Sequence, residues 1–424
     1  QCRTDDPGPS PSPRLGRLTK ETTTTGSMST PSPSALASYA TKHLQLRSYL
    51  RDAGDGRRKP VIDAKPIVWS MLIGTVLRRS SYLSIEHMVR SCTSASLGGS
   101  VPFSDDTLRY FCEHANLDVT RQALADTVKH AKRNKAIDTA PMVGLAMEGV
   151  TSGQSVQHSC AVCRPEKSAS GEITGYHHSG VVVSVVGTGL VLPLDVEFYG
   201  EGDSEYAAGK RLLRRICAAL KPRFAQYLVV DGKFATAPFL HAADRVGIPV
   251  VARLKENLPT LYAEARRRFA ASKPRVRMSE GRDEVELWDD EAFEPWDTLS
   301  WSKVRVLGYR RTTPEGTVSE GYWLTNLPES RVGCRTLYKL GKSRWQIENQ
   351  VFNDAKNLYN LTHIHHHETN SVQFQWLLTF LAMTIERLYR MRFLHRGTHP
   401  IMTAMTLCRL LILQLQPRAS CDSS

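Results

Sequence analysis

This 424-residue sequence predicts a mixed α/β fold: a five-stranded sheet with helices on both faces, interrupted by a mostly β insertion and preceded by a helical domain. Three observations predict it. Between Val143 and Lys255 the apolar runs follow the order strand, strand, strand, helix, strand, helix, strand. Residues 256–334 carry four tryptophans and strand-like alternation in KVRVLGYRR and GYWLTNL. Residues 35–136 show helical spacing and no strand-like run.

Taken in order, residues 1–34 are rich in Pro, Ser, Thr and Gly, with too little apolar material to offset the entropy of ordering. They read as a disordered tail, with Met28 a candidate start, and 417–424 as a second tail. In 35–136, helices are punctuated at Asp52–Pro60 and Leu97–Pro102, and Ser104–Thr107 ahead of LRYF supplies polar caps. Ile67–Arg90 has helix-turn-helix length but no basic second helix, which favours packing over base reading. The core opens at 137–255. VGLAM, GVVVSVVGTG and LVLPLDVEF form an antiparallel meander, followed by helix SEYAAGKRLLRRICAAL, strand QYLVVD, helix APFLHAADRVG and strand IPVVARLK. That order is the ribonuclease-H-like one. The insertion occupies 256–334, and the core resumes over 335–416 with a helix at Arg335–Asn357 and closing helices at Ser371–Gln416.

The formal net charge is +13, and the basic residues are grouped: Lys210 to Arg223, Arg266 to Arg277, and Arg387 to Arg396. Clustered cations favour a polyanionic partner, nucleic acid above all, although each group taken alone could be a solvated face. The longest apolar stretches, Trp376–Ile385 and Ile401–Gln416, are too short or are broken by Arg409, so no membrane span is expected. There is no basic-then-apolar secretory signal, and nine irregularly spaced Cys read as reduced thiols; the expected compartment is cytoplasmic.

Three acidic residues carry the chemistry. Glu148 and Asp231 each follow an apolar strand, and Glu348 lies in the helical RWQIENQVFNDAK; 83 residues separate the first pair and 117 the second. Carboxylates gathered from such distances suit a divalent metal, since Mg²⁺ takes hard oxygen ligands and paired metals activate in-line attack on phosphate. Arg344 shares a helical face with Glu348, and Lys356 returns to that side about two turns on. The structural alternatives are a turn carboxylate after each strand and an ordinary surface ion pair.

The segments LVVDG, ARLKEN, YWLTNLP and above all RWQIENQVFNDAKNLYNLTH resemble the DDE transposases of bacterial insertion sequences, in particular those with a β insert and a Y-R-E-K type helix. The resemblance runs from Val143 to Arg390 and more loosely back to Ala35. It implies that Asp231 and Glu348 are metal ligands, with Glu148 at the position of the first Asp. It implies phosphate contacts for Arg344 and Lys356, and His363 matches a commonly seen His. The implied cofactor is Mg²⁺, with Mn²⁺ able to substitute. The implied partners are double-stranded DNA, as terminal inverted repeats and target, and a second copy of the chain in a homodimeric end complex; 35–136 would bind the ends. Trp288 is the candidate to stack on a flipped base, with core packing the alternative; Arg266, Arg267, Arg268, Lys233 and Lys255 are the further DNA-contacting candidates.

Two positions depart from the pattern. Glu148 stands in MEG where Asp-Gly is expected, and Gly341 stands where the helix pattern has Tyr. One extra methylene displaces a ligating oxygen by over about an ångström, and Mg²⁺ tolerates poor geometry badly. Three readings therefore stand: an active transposase, a catalytically impaired DNA-binding remnant, and a stand-alone metal-dependent nuclease. Asp195 is a candidate substitute ligand. Separately, His158, Cys160, Cys163, His177 and His178 raise zinc binding, because C-x2-C with nearby His offers four suitable ligands. The run His363–His367 reads as a polar loop.

Overall fold

The structure, a computed structural model, describes residues 31–97, 99–137, 142–158, 160–394 and 403–417. The expected tails lie almost wholly outside the described residues; the first helix begins at Pro33.

Six helices come first: α1 (Pro33–Lys42), α2 (Arg47–Asp52), α3 (Ala64–Val76), α4 (Tyr82–Ser91), α5 (Asp105–His114) and α6 (Leu117–Arg133). Ser32, Ser81 and Asn116 accept from the first-turn N–H groups of α1, α4 and α6, which polar N-caps do for otherwise orphaned donors. Then follow β1 (Gly144–Ser155), β2 (Cys163–Lys167), β3 (Ile173–Val186), β4 (Leu192–Tyr199), α7 (Glu205–Leu220), β5 (Tyr227–Val230), α8 (Ala237–Arg245) and β6 (Val250–Leu254). β1 pairs antiparallel with β3 and parallel with β5; β5 pairs parallel with β6; β4 lies antiparallel on the outer edge of β3. The resulting order, β4-β3-β1-β5-β6, is the ribonuclease-H-like core expected from the sequence. The short β2 was not foreseen. It continues the outer edge of β3, where Cys163 pairs with His178.

The segment expected to be mostly β opens with a helix, α9 (Pro259–Ala270), and continues as β7 (Val276–Glu280), β8 (Asp283–Phe293), β9 (Val304–Thr312) and β10 (Val318–Thr325). These strands do not form a separate sheet. β10 pairs antiparallel with β6, so the insertion prolongs the core sheet to ten strands. The core edge strand is thereby covered rather than left as a row of free N–H and C=O groups.

The chain returns through α10 (Cys334–Lys342), a π turn over Ile347–Phe352, α11 (Asn353–Asn357), α12 (Thr369–Phe393) and α13 (Ala404–Leu413). α12 is apolar nearly all round and packs against α3, α5, α6 and β4, so the N-terminal helices and the sheet share one hydrophobic core. Its two buried charges are both occupied. Glu386 accepts from Arg78 at 3.1 Å and from the Tyr359 hydroxyl at 2.6 Å. Arg387 donates to the Val191 carbonyl at 2.5 Å and the Asp354 carboxylate at 2.7 Å, and also to the Gln350 carbonyl inside the π turn.

Because one guanidinium there serves the residue leading into β4, the π turn and α11 at once, Arg387→Met is expected to lower stability by about 2–4 kcal/mol. Urea unfolding followed by circular dichroism measures it; a midpoint like that of the parent chain would show that these bonds contribute nothing net.

Candidate active site

The site is assembled from two neighbouring parallel strands and the helix above them. In the β1–β5 ladder Met147 is opposite Val230; Asp231 follows the end of β5 as expected, whereas Glu148 lies inside β1, paired with Val182 of β3, because the strand runs on to Ser155, and the two acids sit side by side about 4.8 Å apart in the pairing direction. Side chains alternate along a strand. Gly144 and Tyr227, of the same parity as Glu148 and Asp231, face the Glu348 helix, while Met147 and Gly149 face α7.

What brings that helix down is legible residue by residue. A Cβ at Gly144 would lie 2.1 Å from the Tyr227 ring, so only glycine leaves room for the tyrosine to cross β1. Tyr227 then reaches Ser343, with 2.9 Å between hydroxyls, immediately before Arg344. Gln346 accepts from the Gly187 N–H at 2.8 Å, fixing the helix to the β3–β4 turn. The Asn353 N–H donates to the Glu348 carbonyl, the five-residue bond of a π turn. Eight residues exceed two α turns, about 7.2 residues, by nearly one. The wider turn absorbs the excess and returns position 356 to the side of Glu348.

Arg344 bonds both Glu148 and Glu348, joining strand to helix through one guanidinium that is only 12% exposed. Asp231 is held by Lys255, with Nζ at 2.8 Å from Oδ1 and 3.1 Å from Oδ2. Burial pushes the Glu148 carboxyl up to about 7; Arg344 opposes the rise, and the charges of Asp231 and Glu348 add to it. For Asp231 burial also works upward, but the Lys255 ammonium and the Gly232 N–H outweigh it and hold the carboxyl below its ordinary range. Burial disfavours the Arg344 charge, and the two glutamates more than restore it.

The three carboxylates thus converge, though their oxygens do not all lie within 4.8 Å of one another. All the donors are hard oxygens, and cationic side chains already sit among them. That donor set fits a hard divalent cation, which Glu148, Asp231 and Glu348 would hold.

The other sequence candidates separate. Lys356 is exposed on α11. Lys233 is 73% exposed and pairs with Glu205 at 3.3 Å. Lys255 pairs with Asp231 and keeps its side chain 54% exposed. Arg268 is likewise taken, by Glu264 and Asp290, leaving Arg266 and Arg267 exposed. Trp288 is 9% exposed, its indole N–H donates to the Ser272 carbonyl at 3.0 Å, and it lies four strands from β5, about 19 Å. It packs within the insertion. Asp195 is buried between Arg121 and Arg215 on β4 and is no substitute ligand. His363 is exposed beside His365. A Cβ at Gly341 would meet the Trp323 indole at 2.5 Å, which explains why no tyrosine stands there. Of the basic groups, Arg211, Arg215, Arg275, Arg277 and Arg387 are all ion-paired. Glu205, in the first turn of α7, lies against Gly149 on the α7 side of β1, the face opposite Glu148.

No helix among the described residues is long and apolar enough to cross a membrane. No curated protein matches the chain. Among solved structures, a cryo-EM structure of the piggyBac transposase synaptic complex with hairpin DNA aligns with 91% of this chain and 80% of its own at 9% identity, with a TM-score of 0.43. The family described as "Transposase DDE domain" matches residues 157–385, a span that holds Asp231, Arg344, Glu348 and Lys356 and begins nine residues after Glu148. Members of that family generally use divalent metal ions. With more than half of its length in that match, the chain belongs to the transposase DDE domain family and is a DDE-type polynucleotidyl transferase or nuclease.

Proposed function

We propose that the chain is the transposase of a bacterial insertion sequence, cutting DNA strands at the transposon ends and joining the freed 3′-OH to target DNA. The observation that carries this reading is the convergence of Glu148, Asp231 and Glu348 around Arg344 from three distant parts of the chain. Glu148, Asp231 and Glu348 would hold Mg²⁺, for which Mn²⁺ would substitute, and the metal would supply Lewis-acid activation of the attacking oxygen and charge stabilisation at phosphorus. Arg344 offers a fork that fits a phosphate as well as it fits a carboxylate, and exposed Lys356 on the same side adds a point charge. Lys255 keeps Asp231 ionised. Lys233, Arg266 and Arg267 track the backbone nearby. Residues 35–136 form the end-binding domain, supported by a basic cavity of about 960 Å³ lined by Lys42, Arg47, Arg51 and Lys65. The protein acts as a homodimer on paired ends, in the cytoplasm on nucleoid DNA.

The glutamate at position 148, together with a family match that starts beyond it, favours one second reading, an impaired copy that binds ends without joining them. Strand-transfer assays with terminal inverted repeats separate the possibilities. Joining by the natural chain supports the transposase; joining only by Glu148→Asp supports the impaired copy; cutting without joining supports a stand-alone nuclease. For the active enzyme, Asp231→Asn and Glu348→Gln are expected to reduce joining by at least about 10²-fold with end binding retained. Lys356→Ala should instead weaken binding to all DNA sequences and lower the salt slope by about 1.

The pH dependence follows from Glu148. With its carboxyl at about 7, the ionised fraction rises from about a tenth at pH 6 to about nine-tenths at pH 8. Cleavage and cation affinity should rise across that interval. Stability runs the other way: between the ordinary value of 4.5 and about 7 the folded chain binds the extra proton, so this group's contribution falls as pH rises through the window. Urea midpoints in chelator at pH 5 and pH 8 test it. Glu148→Gln should lose that fall, and an identical fall in the variant would assign it to other groups.

A further inference from the structure

We propose that Cys160, Cys163 and His178 bind a structural zinc ion, with His367 closing the tetrahedron, and that this ion fastens the segment after the Glu348 helix to the hairpin that extends β1. Among the described residues these three form the one group of His, Cys, Asp or Glu whose ligand atoms all lie within 4.8 Å. The Sγ atoms are 3.5 Å apart, and His178 Nε2 lies 3.1 Å from Cys160 Sγ and 3.5 Å from Cys163 Sγ. Zn–S bonds of about 2.3 Å and Zn–N bonds of about 2.0–2.1 Å in a tetrahedron require separations of about 3.8 and 3.6 Å. The observed spacings differ from these by a few tenths of an ångström.

The chemistry of the setting points the same way. All three residues are buried; His178 turns Nε2 toward the two sulfurs, and its Nδ1, which takes no part in the set, is without a hydrogen-bond partner. Thiols are weak donors and acceptors, so without a metal two thiols and an imidazole form a poorly satisfied polar cluster inside the protein. A cation taking both sulfurs as thiolates, with release of two protons, converts it into a closed ligand set.

The fourth position has one near imidazole. The His367 ring centroid is 6.1 Å from that of His178, within about 1 Å of the separation of two imidazoles on one zinc, and its buried Nδ1 is also without a partner. His177 alternates to the opposite face of β3 and His158 packs on Tyr176, so neither belongs to the set. The two segments already meet: Ser152 donates to the Leu361 carbonyl at 3.3 Å and the Ala161 N–H to Thr369 at 3.2 Å. Gly153 leaves room for Ile364, whose side chain a Cβ there would overlap.

The test is elemental analysis of the full chain, purified without a metal-affinity tag, under reducing conditions and without chelator. About one zinc per chain is expected, falling to near zero in Cys160→Ser/Cys163→Ser and unchanged in His158→Ala. His367→Ala should release zinc to a competing chelator at least about tenfold more readily, a loss that removal of even an outer partner can bring. Should the double variant fail to fold, Co²⁺ titration of the zinc-stripped natural chain still decides, since thiolate-to-cobalt charge-transfer absorption requires sulfur ligation. Absence of zinc and of that absorption in folded protein overturns the proposal, as does zinc that survives loss of both cysteines. Unchanged retention in His367→Ala removes that residue from the set.

Discussion

Like charges cannot be gathered in a half-buried cleft without compensation, and the Arg344 guanidinium supplies it here. Two unit charges a few ångströms apart near a protein surface interact by several kcal/mol. Bringing Glu148 and Glu348 together without a cation between them would drive one of them to take up a proton. Arg344 bonds both, and Lys255 does the same for Asp231 from the end of β6. The compensation is incomplete at Glu148, where burial still outweighs the attraction. Between Glu148 and Asp231, the compensation falls short at Glu148 alone.

The cleft owes its shape to backbone choices well away from it. Gly144 admits Tyr227, Tyr227 meets Ser343, and Ser343 precedes Arg344; the chain of contacts passes from an absent Cβ to the bridging cation. The π turn leaves backbone groups outside the ordinary four-residue pattern, and Arg387 from α12 satisfies the Gln350 carbonyl among them. A helix interior that carries a full arginine is costly unless each donor finds an acceptor, and here the acceptors are the elements that must be held in register. The longest helix of the fold thus anchors the element that bears Glu348.

Much of this could be read in the sequence because it rests on local patterns. Alternating apolar runs marked β1, β3 and β4, the switch to helical spacing after Ser204 marked α7, and a carboxylate following an apolar strand marked Asp231, whereas Glu148 follows an apolar run that β1 continues past. What could not be read were pairings between distant segments. Nothing in GYWLTNL says that β10 lies against β6 rather than in a sheet of its own, because an alternating strand carries no address for its neighbour. The same limit applies to charge. Lys255, Arg268 and Arg387 counted toward a basic surface, yet each is spent on a carboxylate or carbonyl from another element. Composition reports how many cations a chain has and is silent about which of them remain free to meet a polyanion. Trp288 shows a related limit, since a tryptophan in an insertion fits packing and stacking equally well on sequence alone, and only the structure shows its N–H bonded to the Ser272 carbonyl.

The length of the side chain at position 148 follows from the position of Arg344. Both residues are more than four-fifths buried, and their contact spans the gap between the sheet and the overlying helix. An aspartate on the same backbone would withdraw the carboxylate by one bond toward the strand and lengthen that contact, while Arg344 kept Glu348. The glutamate is therefore better matched to the arginine than the shorter acid would be. Its longer reach comes with one more rotatable bond than aspartate has, so the residue gains contact with the helix at the expense of the rigidity that a small octahedral cation favours. Substitution at this one position moves the balance between joining the two halves of the site and holding a metal, which is why the first carboxylate decides among the readings of this chain.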